Sequence, residues 1–419
     1  MLVAAAAIVY FQQRAISIAA ERIMPELSLS QMQIGWLQWA FVLSYGLLQF
    51  PGGVIGQRLG SRRALTIMLL AAIAASAATP LMPALFRGDA LFVALFLTQW
   101  VLGMAHAPFM PVCAGTMESW LPPGRWALAQ GIHTFGCQVG AAIAPPLLVI
   151  LIAALGWQRA LFLAALPPLA LVGLWAWYGR DTPREHPSVT AAELAGLDAR
   201  AAQPPNHNIT FDRIGRLLSN RSILLITISY IVMNYVFYLL STWSFLYLIQ
   251  ERHFTVLESG ALASLPPIGA AIGAALGGGC TDALCRRAGV VWGFRLLPLI
   301  ALPVAGIMLL AAAWSPQAAV AVAALTLAYA AVEVNEASYW AGTMRIAQAD
   351  TMAATGVLNT GGNVGGWIGI PIVAYLSGHG LWTTAFVIGS LCTVLAAVLW
   401  LAVDVSEPLV GSDAEPGAA

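Results

Sequence analysis

The chain has no lysine: all 19 of its basic residues are arginine. We read this as compositional bias, without functional weight. Charge of either sign is scarce, at 9% of residues, against about 25% in average soluble domains. The formal net charge is +0, so no basic field favours nucleic acid. Cysteine is also rare. Cys113, Cys137, Cys280, Cys285 and Cys392 fall mostly in apolar stretches, and no histidine lies near Cys280 or Cys285. They read as buried free thiols, and we expect no metal centre. No enzyme constellation is present. There is no G-x-S-x-G, no phosphate-binding loop ending in Lys-Ser/Thr and no H-E-x-x-H. These absences argue against a hydrolase, a zinc protease and an ATP-driven pump, and we expect no cofactor.

What the chain has is apolar length. Hydrophobic residues make up 59% of its 419 positions, and its mean hydropathy is +0.79. Its main solvent is the lipid bilayer. A spanning helix needs about 20 apolar residues. Twelve stretches qualify: 1–21, 33–56, 64–85, 90–117, 127–153, 157–178, 222–250, 257–280, 291–314, 317–344, 353–377 and 380–403. One long polar segment, 180–221, separates the sixth from the seventh. The expected organisation is a six-helix bundle over 1–179, a cytoplasmic central loop over 180–221, a second bundle over 222–404 and a cytoplasmic tail over 405–419. Met1 falls directly into an apolar run with no charged segment before it. That argues against a cleaved signal peptide, and we expect a short cytoplasmic leader or a different start.

Arginine placement sets the orientation. With a cytoplasmic start, the cytoplasmic loops hold Arg58, Arg62, Arg63, Arg125, Arg180, Arg184, Arg200, Arg213, Arg216, Arg221, Arg286, Arg287, Arg295 and Arg345. The other side holds only Arg22, Arg87, Arg159 and Arg252. Both termini are therefore expected in the cytoplasm.

Arg14 breaks this pattern, because it lies inside the first apolar span. A charge there costs roughly 2.5–3.5 kcal/mol even on the lenient insertion scale. It needs a protein-lined or wet cavity and a partner, and its planar fork suits a carboxylate or phosphate. Gln12 and Gln13 precede it, so no acid in the helix neutralises it. A ligand anion is the simplest partner. A permanent ion pair with Glu333 or Glu336 is the structural alternative.

The two halves echo each other. GGVIGQRLGSRRA follows the second span, and GGGCTDALCRRAG follows the eighth. HTFGCQVGAAIAPPL in the fifth span is echoed by NTGGNVGGWIGIPIV in the eleventh. Small residues allow close helix approach, proline bends a helix, and an internal repeat is the architecture of secondary transporters.

On these features the chain resembles the major facilitator superfamily. More narrowly it is similar to the anion:cation symporter branch, which carries galactonate, hexuronates, sialic acid and glutamate. The resemblance rests on QQRAISIAA, SQMQIGWLQWAFVLSYGLLQFPGG, GMAHAPFMP, SWLPPGRWALAQGI, NYVFYLLSTWSFLYL and ATGVLNTGGNVGGWIGIP. It implies an all-α membrane protein of twelve transmembrane helices in two pseudo-symmetric halves. It further implies an alternating-access carrier for a small organic anion, acting as a monomer, often with proton co-transport. By the same resemblance Arg14 matches the branch's carboxylate clamp. Tyr45, Gln138, Ser338, Trp340, Asn359 and Asn363 fall at matching cavity positions.

Departures from the branch pattern are informative. Gln13 stands where members commonly carry an aspartate. Gln99 and His106 stand where the fourth helix usually has an arginine and a glutamate. Changing both together avoids a lone buried charge, but the usual proton carriers are gone. His106 can replace them, since histidine changes charge near physiological pH, or it can simply bond between helices. His133 is a weaker candidate of the same kind. Glu333 and Glu336 lie three apart in the tenth span and are expected to share one helix face. Either can couple to protons or sodium. Tyr235, Tyr238 and Thr242 are spaced to line one face and suit a polyhydroxy acid.

A cytoplasmic gate is expected at Arg58, Gly60, Arg62 and Arg63. Gln57 replaces the signature aspartate there, which leaves more of the gate to Asp282, Arg286 and Arg287. The expected function is transport of a sugar acid or other carboxylate across the cytoplasmic (inner) membrane. The fifth span lacks the glycine–proline motif typical of drug antiporters, which weakens a drug or metabolite efflux reading. A non-transporting ligand sensor is the reading from another class, and the chain carries no long soluble signalling segment.

Overall fold

The computed structural model describes residues 1–195, 209–252, 262 and 264–409. Arg200, residues 257–261 of the eighth predicted span and positions 410–419 of the tail lie outside the described residues. Among the described residues the chain is helical, with no strand. Among the described residues ten helical stretches are long and apolar enough to cross a membrane, and a bent pair adds another. One of the ten, Ala318–Gly378, is 61 residues long. As a straight helix it would reach about 90 Å, some three bilayer cores. It is divided at Gln348–Asp350, where Gln348 takes φ +49°. Counted as two, it restores the expected twelve.

The helices that matter here are α1 (Leu2–Leu27), α2 (Gln31–Leu47), α3 (Gln49–Leu59), α4 (Ser61–Ala78), α5 (Gly88–His106), α6 (Phe109–Trp120), α7 (Trp126–Leu155), α8 (Trp157–Ala164) and α9 (Pro167–Tyr178). In the second half they are α10 (Phe211–Ser219), α11 (Arg221–Gln250), α12 (Leu265–Ala288), α13 (Val290–Trp314), α14 (Ala318–Glu333), α15 (Glu336–Ala347), α16 (Thr351–Gly378) and α17 (Trp382–Trp400). The chain divides into two compact units: Met1–Trp120 with His133–His207, and Leu121–Ile132 with Asn208–Ala419.

In the first unit, Ser30 starts α2 through a reciprocal cap. Its hydroxyl accepts the Gln33 N–H at 3.2 Å, and the Gln33 side chain accepts the Ser30 N–H at 2.9 Å. This is the expected outcome of an S-x-x-Q run before an apolar stretch. The second span is not one rod, because α2 and α3 meet at Leu48 with a 54° bend. Ile16, Ile23, Leu37, Leu95 and Trp157 form its apolar core. Gly140 of α7 lies directly against the backbone of Ala7 in α1, so any Cβ there would overlap the Ala7 carbonyl. Small residues permit this approach.

In the second unit, the eighth span runs Leu265–Ala288, eight residues beyond the expected 257–280. Pro266 and Pro267 sit at its start, where proline is tolerated. Asp282, Arg286 and Arg287 consequently lie inside the helix and not in a loop. The turn comes after them, at Gly289, whose φ of +78° matches the +79° of Gly60. The repeat is therefore real at the glycine, but Asp282 precedes it by more residues than Gln57 precedes Gly60. Among the thiols, Cys113 and Cys137 are buried, while Cys280 is exposed, which corrects the reading of that cysteine.

The polar segment before α11 also carries structure. Thr210 caps α10, accepting the Arg213 N–H at 3.3 Å. Arg213 then turns inward and pairs in two-pronged fashion with Asp350, at 2.9 and 3.2 Å. Both residues are buried. A buried pair contributes little over an apolar one, but breaking it by removing one partner leaves an unpaired charge. Asp350→Ala should therefore destabilise the protein by about 3 kcal/mol, read as a lower unfolding midpoint in detergent. The Arg213→Met/Asp350→Leu double variant should recover most of that loss. A single variant as stable as wild type would show that the pair carries nothing. Gly140→Val should displace α1 and reduce the monodisperse fraction in size-exclusion chromatography; an unchanged elution profile would rule out the tight α1–α7 approach.

Candidate functional site

Arg14 sits well along α1 and is exposed, with no hydrogen bond or ion pair within its own unit among the described residues. One helical turn governs what surrounds it. Gln12 points inward and is buried; Gln13 is half-buried and Arg14 points out. The Gln12 side-chain oxygen lies 3.3 Å from Nε2 of His106. His106 is fully buried, and its ring meets Phe41 edge-on at 5.9 Å. The Gln12 oxygen can only accept, so the Nε2–H donates. A second proton, on Nδ1, would find no acceptor among the described residues.

Gln99 lies two turns earlier on α5, and its amide donates to the Thr79 hydroxyl at 3.3 Å. Gln12, Ser76, Thr79 and Gln99 supply the polar lining of a small cavity of about 20 Å³. That is room for about one water. The interior that the family pattern fills with charges is thus built here from neutral amides and hydroxyls. Gln12 was not singled out in the sequence, where Gln13 holds the position of interest. Only the helical phase distinguishes them.

Tyr45 is half-buried and stacks on Phe41 at 5.7 Å. Gln138 is half-buried on α7. His133 is buried beside Phe109, 5.6 Å between ring centres, with neither ring nitrogen bonded among the described residues.

The turn after α3 shows what stands in for the missing aspartate. Asp181 accepts the Arg62 N–H at 2.7 Å. Its carboxylate also fills the space where a Gly60 Cβ would go, at 2.7–2.8 Å. The Arg62 side chain bonds the Ala176 carbonyl, while Arg58 and Arg63 are exposed. Asp181 lies far from this turn in sequence, so no local motif reveals it.

In the second unit the tenth span is broken. α14 ends at Glu333 and α15 begins at Glu336. The two acids do not share the face of a continuous helix. The Asn335 amide donates to the Ala331 carbonyl at 2.6 Å, a side-chain competitor for helical bonding. Oε2 of Glu336 accepts the Tyr230 hydroxyl at 3.0 Å and the Trp340 indole N–H at 2.9 Å. Trp340 is fully buried, so it serves Glu336 and does not line an open cavity. Ser338 is likewise closed off, in a 2.9 Å hydroxyl pair with Thr281.

The tyrosines of α11 diverge. Tyr235 is buried and donates to the Ala385 carbonyl on α17 at 3.3 Å. Tyr238 is half-buried and reaches Asn363 on α16 at 3.5 Å. Thr242 is exposed. The three do not form one face. Asn363 also donates to the Asn359 carbonyl at 2.8 Å, and Asn359 is half-buried. Asp282 accepts the N–H of Leu128 at 3.1 Å, an anion at the first turn of α7. This is a favourable charge–dipole arrangement. Arg286 and Arg287 are exposed.

The chain is 28% identical over 371 residues to a probable sulfoacetate transporter of Cupriavidus necator, covering 88% of this chain and 84% of that protein. It is 25% identical over 410 residues to a hexuronate transporter of Bacillus subtilis, covering 97% and 93%. Its fold is similar to that of a proton:xylose symporter with a TM-score of 0.76, at 12% identity over 95% of this chain and 93% of the other. The Major Facilitator Superfamily model matches residues 2–351, and the chain belongs to that superfamily of multi-pass membrane transporters.

Proposed function

We infer that the protein is a secondary active transporter of a small organic anion, a sugar acid or another carboxylate. It works by alternating access in the cytoplasmic membrane with both termini in the cytoplasm. The observation that carries this reading is Arg14. It is an exposed guanidinium in an apolar helix, flanked by neutral Gln12 and Gln13, with no partner in its own unit among the described residues. A cation so placed is tolerable when an anion comes to it. Its fork matches a carboxylate bidentately, which an ammonium cannot do.

The relatives' names support the substrate class. Sulfoacetate, hexuronate, galactarate and D-glucarate are all organic anions. Tyr45 and Gln138 remain half-buried polar positions in the same unit as Arg14 and suit hydroxyl recognition. Tyr238, Asn359 and Asn363 keep that role in the second half. Ser338, Trp340 and Tyr235 are committed to buried bonds and leave the substrate set. Asp282 takes the gating role through the first turn of α7, and Asp181 steadies Gly60 and Arg62 in the first unit.

Purified protein should be stabilised thermally by one of D-glucarate, a hexuronate or sulfoacetate. Arg14→Gln should weaken that binding by roughly 10- to 100-fold, the scale of a lost charge-assisted bond. Arg14→Lys should recover only part of the loss, because it keeps charge without the fork. Undiminished affinity in Arg14→Gln, measured by titration calorimetry, would remove the clamp.

A further inference from the structure

In the first unit the buried His106 has the Gln12 amide beside it, and no carboxylate is buried there among the described residues. The second unit differs, because it keeps buried carboxylates. Glu336 stands at the start of α15, immediately after the break in the tenth span, and is 8% exposed. Its Oε2 accepts two donors, Tyr230 and Trp340. Its Oε1 has no hydrogen bond among the described residues, and it is not among the sealed atoms.

Among the described residues of its own unit no cation pairs with this carboxylate, and Arg345 lies in the last turn of α15, away from Glu336 at its start. Tyr230 comes from α11, and Tyr339 from α15 packs on Tyr230 at 5.1 Å. α12 brings Thr281 against Ser338 and carries Asp282 and the exposed Arg286 and Arg287 towards its other end. The arginine of α13, Arg295, is bonded to the Val403 carbonyl at 2.8 Å. α16 carries neither acid nor base over Thr351–Gly378. Glu333 is buried as well; it has an interaction of its own, and its Oε2 is sealed with no hydrogen bond among the described residues, whereas Oε1 of Glu336 is not sealed. A permanently ionised Glu336 would thus be a buried anion without a counter-charge, at a penalty of several kcal/mol.

A structural role does not require an acid here. The oxygen of a glutamine could accept both the Tyr230 and the Trp340 bonds without charge. The first unit uses that solution at Gln12 and Gln99. A second polar atom points the same way. Asn335, fully buried in the break, has its amide orientation fixed by the bond to Ala331, which leaves its side-chain oxygen without a donor among the described residues. The break therefore gathers acceptors and lacks a positive partner.

We propose that Glu336 is the proton-coupling site of this transporter, loading and releasing one proton at Oε1 while Tyr230 and Trp340 hold Oε2. The step is a simple protonation. One O–H bond forms at Oε1 and the carboxylate charge disappears; the same proton later leaves and the charge returns. The two donors on Oε2 serve the ionised form and fix the group's direction. His106 is set aside as the carrier, because a second ring proton would have no acceptor. The proposal rests on the transport reading above, but its first test does not need a substrate.

Infrared difference spectroscopy of the reconstituted full chain, titrated from mildly basic to mildly acidic pH, should show a carboxylic-acid carbonyl band. Glu336→Gln should abolish one component of it, and Tyr230→Phe should shift that component. A Glu336→Gln spectrum identical to wild type would overturn the proposal. In proteoliposomes with D-glucarate as the probe, Glu336→Gln should retain exchange but lose accumulation driven by a pH gradient. His106→Asn should still accumulate. Accumulation that persists in Glu336→Gln, or that follows a sodium gradient alone, would overturn the assignment. If wild type moves no carboxylate at all, the substrate reading fails, and the infrared titration still decides Glu336.

Discussion

Hydrocarbon offers no hydrogen bond. Each polar group within a span must find its partner in the protein or keep access to water. This constraint orders the whole interior. Gln99 finds Thr79, His106 finds Gln12, Ser229 finds Tyr339 at 2.6 Å, and Thr281 finds Ser338. These are neutral pairs, and they need no counter-charge. Against that background an unpaired charge is conspicuous. Arg14 in one unit and Glu336 in the other stand out as ionisable groups without an ion pair in their own unit among the described residues.

The same constraint explains the irregular helices. Backbone at a break must be served by side chains, and Asn335 does this at the tenth span. Close backbone approach needs missing side chains, and Gly140 supplies that against Ala7. At the Gly60 turn the carboxylate of Asp181 occupies the space of a Cβ and bonds the next backbone N–H but one. Each irregularity sits where a polar or small residue makes it possible. None requires a separate stabilising device.

Much of this was legible in the sequence. Apolar length gave the helices, the S-x-x-Q run at Ser30 gave a helix start, and one arginine in an apolar stretch marked Arg14. These are local signals, carried by composition and spacing. The misreadings are equally physical. Arg213 pairs with Asp350 across 137 residues of sequence, and no pattern near either residue names the other. Helical spacing put Glu333 and Glu336 on one continuous helix, but α14 ends at Glu333 and α15 begins at Glu336, with Val334 and Asn335 between them. Tyr235 and Tyr238 share a helix yet serve different neighbours, because the offset of about 60° between residues three apart turns one to Ala385 on α17 and the other to Asn363 on α16. Gln12 and Gln13 are the same residue type with opposite fates, decided by phase alone.

Charge supplies the last step. Among the described residues neither Arg14 nor Glu336 has an ion pair within its own unit. On the function and the coupling site proposed above, an organic anion neutralises the first and a proton the second, so that an empty carrier holds both charges and a fully loaded one neither. Desolvating an isolated ion is expensive, and loading either site removes one such cost. The costs of two separate ions add, so coupling requires in addition that loading one site change the state of the other. On the proposed reading the neutral amides of the first unit leave the proton to the second, where Glu336 at the start of α15 takes it up.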